Sequence, residues 1–220
     1  MEIIFLIIKD TITFYRPFAG TISEDIVERI DAGDSITTRF DMFAYGRYKS
    51  IVTPRLNTYD TGIYSAAQWL RAIVIPSVSS IPHNVFADTN MLRKAIIEEG
   101  PTSMSSCFYN NQSLNTISLP ESITSINGTF ENCSALNTII IPEGVKTIGA
   151  RSFYGCPLKL ILFLAHKSVP NLSSTNALPS SSASYKIVVP DELYSSWIQA
   201  TNWSSFASNI ITKTDWEAQR

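Results

Sequence analysis

Three cysteines, two histidines and two acidic pairs hold most of the reactive chemistry in this 220-residue chain. Cys107, Cys133 and Cys156 are odd in number and form no C-x-x-C. That argues against a disulfide framework, and against a closed zinc site of four nitrogen or sulfur ligands. Such thiols pack as small, inert hydrophobes. A Ser or Cys nucleophile would need His83 or His166 as its base. His83 lies in an Ile-Pro-His turn and His166 opens a Ser-rich stretch. Glu98/Glu99 and Asp191/Glu192 could form carboxylate dyads, but adjacent residues of a strand point to opposite faces, so turn or cap roles are expected. The sequence contains no G-x-S-x-G, G-x-G-x-x-G, Walker loop or H-E-x-x-H. No catalytic, metal-binding or cofactor-binding residue is assigned, and the chain reads as a non-enzyme.

Composition narrows the partners. Net charge is −2 and charged residues make up 16%, so no electrostatic grip on nucleic acid or anionic lipid is expected. Ser and Thr supply 47 positions, giving a surface of hydroxyls rather than ions. Apolar content of 45% excludes intrinsic disorder and suits one buried core. The run Ile3–Ile8 is too short for a membrane span, and Glu2 is the wrong charge for a classical signal peptide, so Ile3–Ile8 reads as a buried strand in a soluble chain. Sequons at Asn111, Asn127, Asn132, Asn171 and Asn202 read as turns in so Asn- and Ser-rich a sequence.

What positions all of these residues is a period of 22. Leu114, Ile117, Leu119 and Pro120 recur as Leu136, Ile139, Ile141 and Pro142. The step extends back through Leu92, Ala95 and Ile97, Leu70, Ile73, Ile75 and Pro76, and Tyr48, Ile51, Thr53 and Pro54, and forward to Leu158, Ile161 and Phe163. Six anchors result, at 48, 70, 92, 114, 136 and 158. Tyr64, Phe86, Phe108 and Phe130 sit six residues before their anchors, while Phe43 and Phe153 sit five before theirs. Val78/Ile81, Ile123/Ile126 and Val145/Ile148 lie between strand and aromatic. Cys133 and Cys156 both follow the repeat Phe by three, so they occupy one repeat position and read as packing. Counting from each anchor, strand positions 0, 3 and 5 point inward, a proline ends the strand, and the chain returns along the opposite side. One coil cannot bury its own apolar face, so coils stack and their strands pair in parallel into one sheet.

The stretch SLPESITSINGTFENCSALNTIIIPEGVKTIGARSFYGC resembles the leucine-rich repeats of the BspA type, L-x-x-I-x-I-P-x-x-V-x-x-I-x-x-x-A-F-x-x-C. The match is specific over 114–156 and good over 70–91; it is degraded over 92–113 and weak over 48–69. The resemblance implies a right-handed leucine-rich-repeat solenoid, mostly β with some α, with a parallel sheet, a small N-terminal segment and a helical C-terminal cap. It also implies a non-catalytic module for adhesion or assembly, of the kind carried by bacterial surfaces and phages.

The expected organisation is an N-terminal cap or docking segment over 1–45, the solenoid over 46–165, and a loop plus C-terminal cap over 166–220. In the first part Thr11–Tyr15 reads as a strand, and Thr21-Ile22-Ser23-Glu24 as a capping box before a short helix bearing Ile26, Val27 and Ile30. Gly33 would end that helix, and Ile36, Phe40 and Phe43 lead into the first coil. In the last part Tyr185–Val189 reads as a strand, and Asp191 as the cap of a helix carrying Leu193, Tyr194, Trp197 and Ile198. The segment around Trp197, Trp203 and Phe206 resembles the C-terminal cap that follows such repeats, with those rings as cap core or, alternatively, as a stacked-sugar site.

Positions 2 and 4 of each strand point away from the core. They are Ser50, Val52, Ala72, Val74, Lys94, Ile96, Thr116, Ser118, Thr138, Ile140, Leu160 and Leu162, the candidate partner-binding face. Five of the six residues at position 4 are aliphatic, which suits an intermolecular interface. Cover by the N-terminal segment, or β-propensity alone, would produce the same stripe. Lys49, Arg71, Arg93, Asn115, Asn137 and Lys159 form a partly basic ladder at its margin, open to an acidic partner, a sugar phosphate or plain solvent. Two functions fit: a structural or receptor-binding component of a phage tail or head fibre, or a surface or secreted adhesion module binding a host protein or glycan. The expected partners are proteins, by self-association or on a virion or host surface, with glycan as a further possibility; the expected location is a virion or an extracellular surface.

Overall fold

The computed structural model describes residues 5–8, 27–32, 48–52, 64–67, 70–75 and 77–220, the first three segments as backbone strands. The strands expected at 22-residue intervals are present. β1 (Phe5–Ile8), β2 (Val27–Ala32), β3 (Tyr48–Val52), β4 (Ala72–Ile75), β5 (Lys94–Ile97) and β7 (Thr116–Ser118) form one parallel sheet in that order. Its register steps by the repeat, Ser50 opposite Ala72, Ala72 opposite Lys94 and Lys94 opposite Thr116. β9 (Thr138–Ile140), β11 (Leu160–Leu162), β13 (Lys186–Val189) and β14 (Ile210–Thr212) continue the series as a separate ladder. β7 and β9 lie side by side, but no ladder bridges them.

The opposite side of the solenoid carries a second parallel sheet. It is built from β6 (Ser103–Ser105), β8 (Ser125–Asn127), β10 (Thr147–Ile148) and β12 (Asn171–Leu172). The one-sheet arrangement expected from the period is therefore corrected: the return leg of each coil also extends and pairs. The second sheet begins at β6. Twenty-two residues before Met104 stands Pro82, which has no N–H to give to a ladder.

Two expectations about the ends change. The helix read from Ile26, Val27 and Ile30 is a strand, β2, held between β1 and β3. Pairing on both sides outweighs a three-residue spacing that fits either element. The other N-terminal readings, over Thr11–Tyr15, Thr21–Glu24, Ile36, Phe40 and Phe43, lie outside the described residues. At the other end, Pro190 precedes a 3-10 turn over Asp191–Leu193, and α1 (Tyr194–Gln199) follows. Asp191 does not cap that helix. Its carboxylate instead accepts from the Thr214 amide at 3.1 Å and from the Thr214 hydroxyl, tying down α2 (Lys213–Ala218). Thr212 caps α2 by accepting from the Asp215 amide at 3.0 Å.

Anchors Leu70, Leu92, Leu114, Leu136 and Leu158 are all buried, as are Ile73, Ile75, Ala95, Ile97, Ile139, Ile141, Ile161 and Phe163. Ile117 and Leu119 are half-buried, packed against the same core. The repeat aromatics stack one on another: Tyr64 on Phe86 at 5.1 Å, Phe86 on Phe108 at 5.3 Å, Phe108 on Phe130 at 5.9 Å and Phe130 on Phe153 at 5.5 Å between centroids. The rings from Phe86 to Phe153 are each flanked by two left-handed residues, and Tyr64 is followed by one. Asn84, Ser106, Gly128 and Arg151 stand two before their rings, and Ala66, Asp88, Asn110, Asn132 and Gly155 two after, all at positive φ. The short polar side chains and glycines tolerate this conformation; Arg151 and Ala66 adopt it because the stack fixes their turns.

Tight turns leave carbonyls facing the interior, and two columns of small polar side chains satisfy them. Three residues after Phe86, Phe108, Phe130 and Phe153, Thr89 Oγ1, Asn111 Nδ2, Cys133 Sγ and Cys156 Sγ donate to the carbonyls of Tyr64, Phe86, Phe108 and Phe130, at 3.1, 2.7, 3.2 and 3.0 Å. One residue before Phe108, Phe130 and Phe153, Cys107 Sγ reaches the Pro82 carbonyl at 3.5 Å, Thr129 Oγ1 that of Met104 at 2.9 Å, and Ser152 Oγ that of Ile126 at 3.0 Å. Each bond joins one coil to the preceding one. A buried carbonyl left without a donor would cost about 1–3 kcal/mol.

Candidate binding face

The outer face is built by the strands of the first and third sheets, where alternation turns positions 2 and 4 outward. The register aligns Ser50, Ala72, Lys94 and Thr116 in one row and Val52, Val74, Ile96 and Ser118 in the next. Beyond the break, Thr138 and Leu160 share a row, as do Ile140 and Leu162. Ala72, Lys94, Thr116, Ser118 and Thr138 are exposed, Val74 is 40% exposed and Ile140 59% exposed. Ile96 and Leu160 are half-buried, and Leu162 is buried. The side chains of Ser50 and Val52 lie outside the described residues. The apolar row is thus open at β4 and β9, interrupted by Ser118, and closed at β11.

Leu162 and Val188 pair in register and are buried, yet neither belongs to the main core. α2 packs against β13 and β14 at this end of the sheet. The basic ladder stays in solvent, with Arg71, Arg93, Asn115, Asn137 and Lys159 all exposed.

The cysteines and the Glu98/Glu99 pair have structural partners. Burial pushes the Cys107 thiol up to about 12, and holds that of Cys133 well above its ordinary value, with Cys156 beside it adding to the shift. Such thiols carry negligible thiolate at neutral pH. The Glu98/Glu99 pair divides between neighbouring coils. Glu98 accepts from the Ser77 amide at 3.1 Å in the coil before, and Glu99 from the Glu121 and Ser122 amides, both at 2.9 Å, in the coil after. The Glu121 amide leads in holding the Glu99 carboxyl below its ordinary range. His83 is exposed. His166 is buried against Phe163 and Trp197, with ring centroids 5.0 and 6.2 Å away, and burial lowers its pKa. Among the described residues no group of three His, Cys, Asp or Glu side chains could hold a metal ion.

Trp197, Trp203 and Phe206 are buried in the cap core, and the Trp203 indole N–H donates to the Pro170 carbonyl at 2.7 Å. A stacked-sugar site on these three rings is therefore excluded. The period alone did not reveal a cleft beside Tyr154, Pro157, Leu178 and Pro179. Its far wall comes from the Ser-rich stretch, which carries no repeat signal.

Parallel strands stepping by one coil around a continuous apolar core define a leucine-rich-repeat solenoid. The family model described as BspA type leucine rich repeat region matches residues 41–177 in six copies, and the chain belongs to that family. A crystal structure of a leucine rich cell surface protein from Faecalibacterium prausnitzii A2-165 is similar at 18% identity and a TM-score of 0.43. The similarity covers 87% of this chain and 54% of that one, so the chain spans about half the length of its structural relative. No curated protein matches the sequence. Among the described residues no helix is long and apolar enough to cross a membrane.

Proposed function

We propose that the chain is a non-enzymatic interaction protein that binds other protein through the outer face of its sheet. The observation that carries this is Ile140, 59% exposed at the end of β9 while Ile139 and Ile141 on either side of it are buried. An aliphatic side chain held open on a flat, hydrogen-bonded surface gains by burial against a partner. Val74 and Ile96 extend the apolar row, and Ala72, Thr116, Ser118 and Thr138 add small side chains that let another surface approach closely. The row Val74, Ile96, Ser118 and Ile140 carries no charge, which suits a homomeric contact better than a steered encounter. The setting we assign is therefore assembly, as a structural or receptor-binding component of a particle such as a phage tail or head fibre. Adhesion to a host protein or glycan at a bacterial surface is the second reading, favoured by the exposed polar row Lys94, Thr116 and Thr138. In both settings residues 46–165 form the working body and 166–220 the cap.

Solution mass by light scattering tests the assignment, with the wild type beside Ile140→Asp and Val74→Asp/Ile140→Asp. A wild-type dimer or trimer that becomes a folded monomer in the variants supports assembly. A wild-type monomer overturns it and leaves the adhesion reading, to be tested by binding to immobilised host proteins and glycans.

A further inference from the structure

We propose that the cleft between the last repeat turn and the Thr175–Ser180 segment is a binding site for a small neutral saccharide. The cleft has a volume of about 470 Å³, within the range of small-molecule sites. It lies at the junction of two structural units, the final coil and the segment leading into the cap. Its apolar wall is Tyr154, Pro157, Leu178 and Pro179, and Asn176 and Ser180 supply neutral polar groups. No acidic or basic side chain lines it, and Arg151, which lies against Tyr154, is paired with Glu131, so the cleft offers no uncommitted charge to a phosphate, a carboxylate or a cation. The Cys156 thiol that borders it is committed to the Phe130 carbonyl at 3.0 Å.

A ligand that fits must be uncharged, with one apolar face and a rim of hydroxyls. A pyranose ring has that form: its C–H face stacks on an aromatic ring, while its hydroxyls exchange hydrogen bonds with amide and hydroxyl side chains. Tyr154 is the stacking surface. It is 45% exposed, yet it is held: the Arg151 guanidinium lies 4.4 Å from its ring centroid. Arg151 is in turn fixed by Glu131, to which its Nε donates at 2.8 Å. An exposed ring fixed in advance loses little freedom on binding. The Arg151 side chain leaves a left-handed backbone position, one residue of the column that otherwise holds Asn, Ser and Gly.

The full-length chain is titrated with maltose, cellobiose, lactose and N,N′-diacetylchitobiose, followed by saturation-transfer NMR and calorimetry. A proline decapeptide is the rival probe, since Tyr154, Pro157 and Pro179 could also face a proline helix. We expect one of the disaccharides to bind with a Kd near ~1 mM or tighter. Tyr154→Ala should weaken it by about tenfold or more, whereas Tyr154→Phe keeps the ring and stays within about threefold. Ile140→Asp, on the sheet face, should bind as the wild type does, which separates this site from the proposed protein interface. The proposal is overturned if no disaccharide binds, if binding survives Tyr154→Ala, or if the decapeptide binds in their place and is lost with the ring. Circular dichroism of each variant shows that a lost signal is not lost folding.

Discussion

The coils and the cap bury aromatic rings in opposite ways. Within the coils the five rings from Tyr64 to Phe153 lie nearly parallel, with interplanar angles of 7–16°. In the cap Phe163, Trp197 and Trp203 meet at 55–88°, with centroids 4.9–5.6 Å apart. A parallel stack is what translation by one coil produces, and it presents the same surface to the next coil indefinitely. The angled cluster breaks that translation, and the stack of parallel rings does not continue through it. Repetition supplies the stability of the coils, and its local failure supplies the boundary a solenoid requires.

Variants can test that contrast. Trp203→Ala should be the most damaging, since it empties a fully buried site and orphans the Pro170 carbonyl; about 4–5 kcal/mol is expected by urea unfolding. Loss of fluorescence change ahead of the β-sheet circular dichroism signal would show the cap opening first, and coincident transitions would show one cooperative unit. Phe130→Ala should cost about 3–4 kcal/mol, because the hole lies between two rings that cannot both relax into it. If its cost is below about 1.5 kcal/mol, the stack is not what holds the coils. Asn111→Ala should cost about 2 kcal/mol by stripping the Phe86 carbonyl of its donor, and Asn111→Cys, which copies Cys133, should recover part of it. Equal costs for the two variants would refute the column as a set of interchangeable donors.

The smallest effect concerns His166, a titratable ring that the stack lacks. Burial is the main cause of its lowered pKa; the Val145 backbone and the Glu143 charge act in the other direction. The unfolded chain therefore takes up its proton first as pH falls. Stability from the neutral ring is complete above the unfolded value of about 6.5 and declines below it, levelling off once the folded form is protonated too. Melting temperature should fall by a few degrees between pH 7.5 and pH 5, and His166→Phe should flatten that slope. An unchanged slope in the variant would place the titration elsewhere.

How much could be read in advance depended on repetition. The anchors, the rings and the shared place of Cys133 and Cys156 were legible because each residue has a counterpart one period away. The return strands were missed because β8 and β10 are three and two residues long, too short for alternation to register. Thr89 and Asn111 went unnoticed as members of the Cys133 column, since they share a hydrogen-bonding role rather than a residue type. β14 follows β13 by 23 residues but lacks the proline that ends the repeat strands, α2 has no counterpart, and Asp191 resembles a cap because its partner, Thr214, lies 23 residues away. The candidate face was legible as a register, but the burial of Leu162 beside the in-register Val188 was not.

The unbridged step between β7 and β9 gives the molecule a mechanical property. On the opposite side β8 pairs with both β6 and β10, so the coils there stay coupled across the same level. A beam laced continuously along its back and unlaced at one level in front flexes most easily at that level. The open apolar residues Val74 and Ile140 stand on either side of it. Flexure would therefore alter the spacing of the two patches without breaking a ladder, and a curved or flat partner could be met by the same surface.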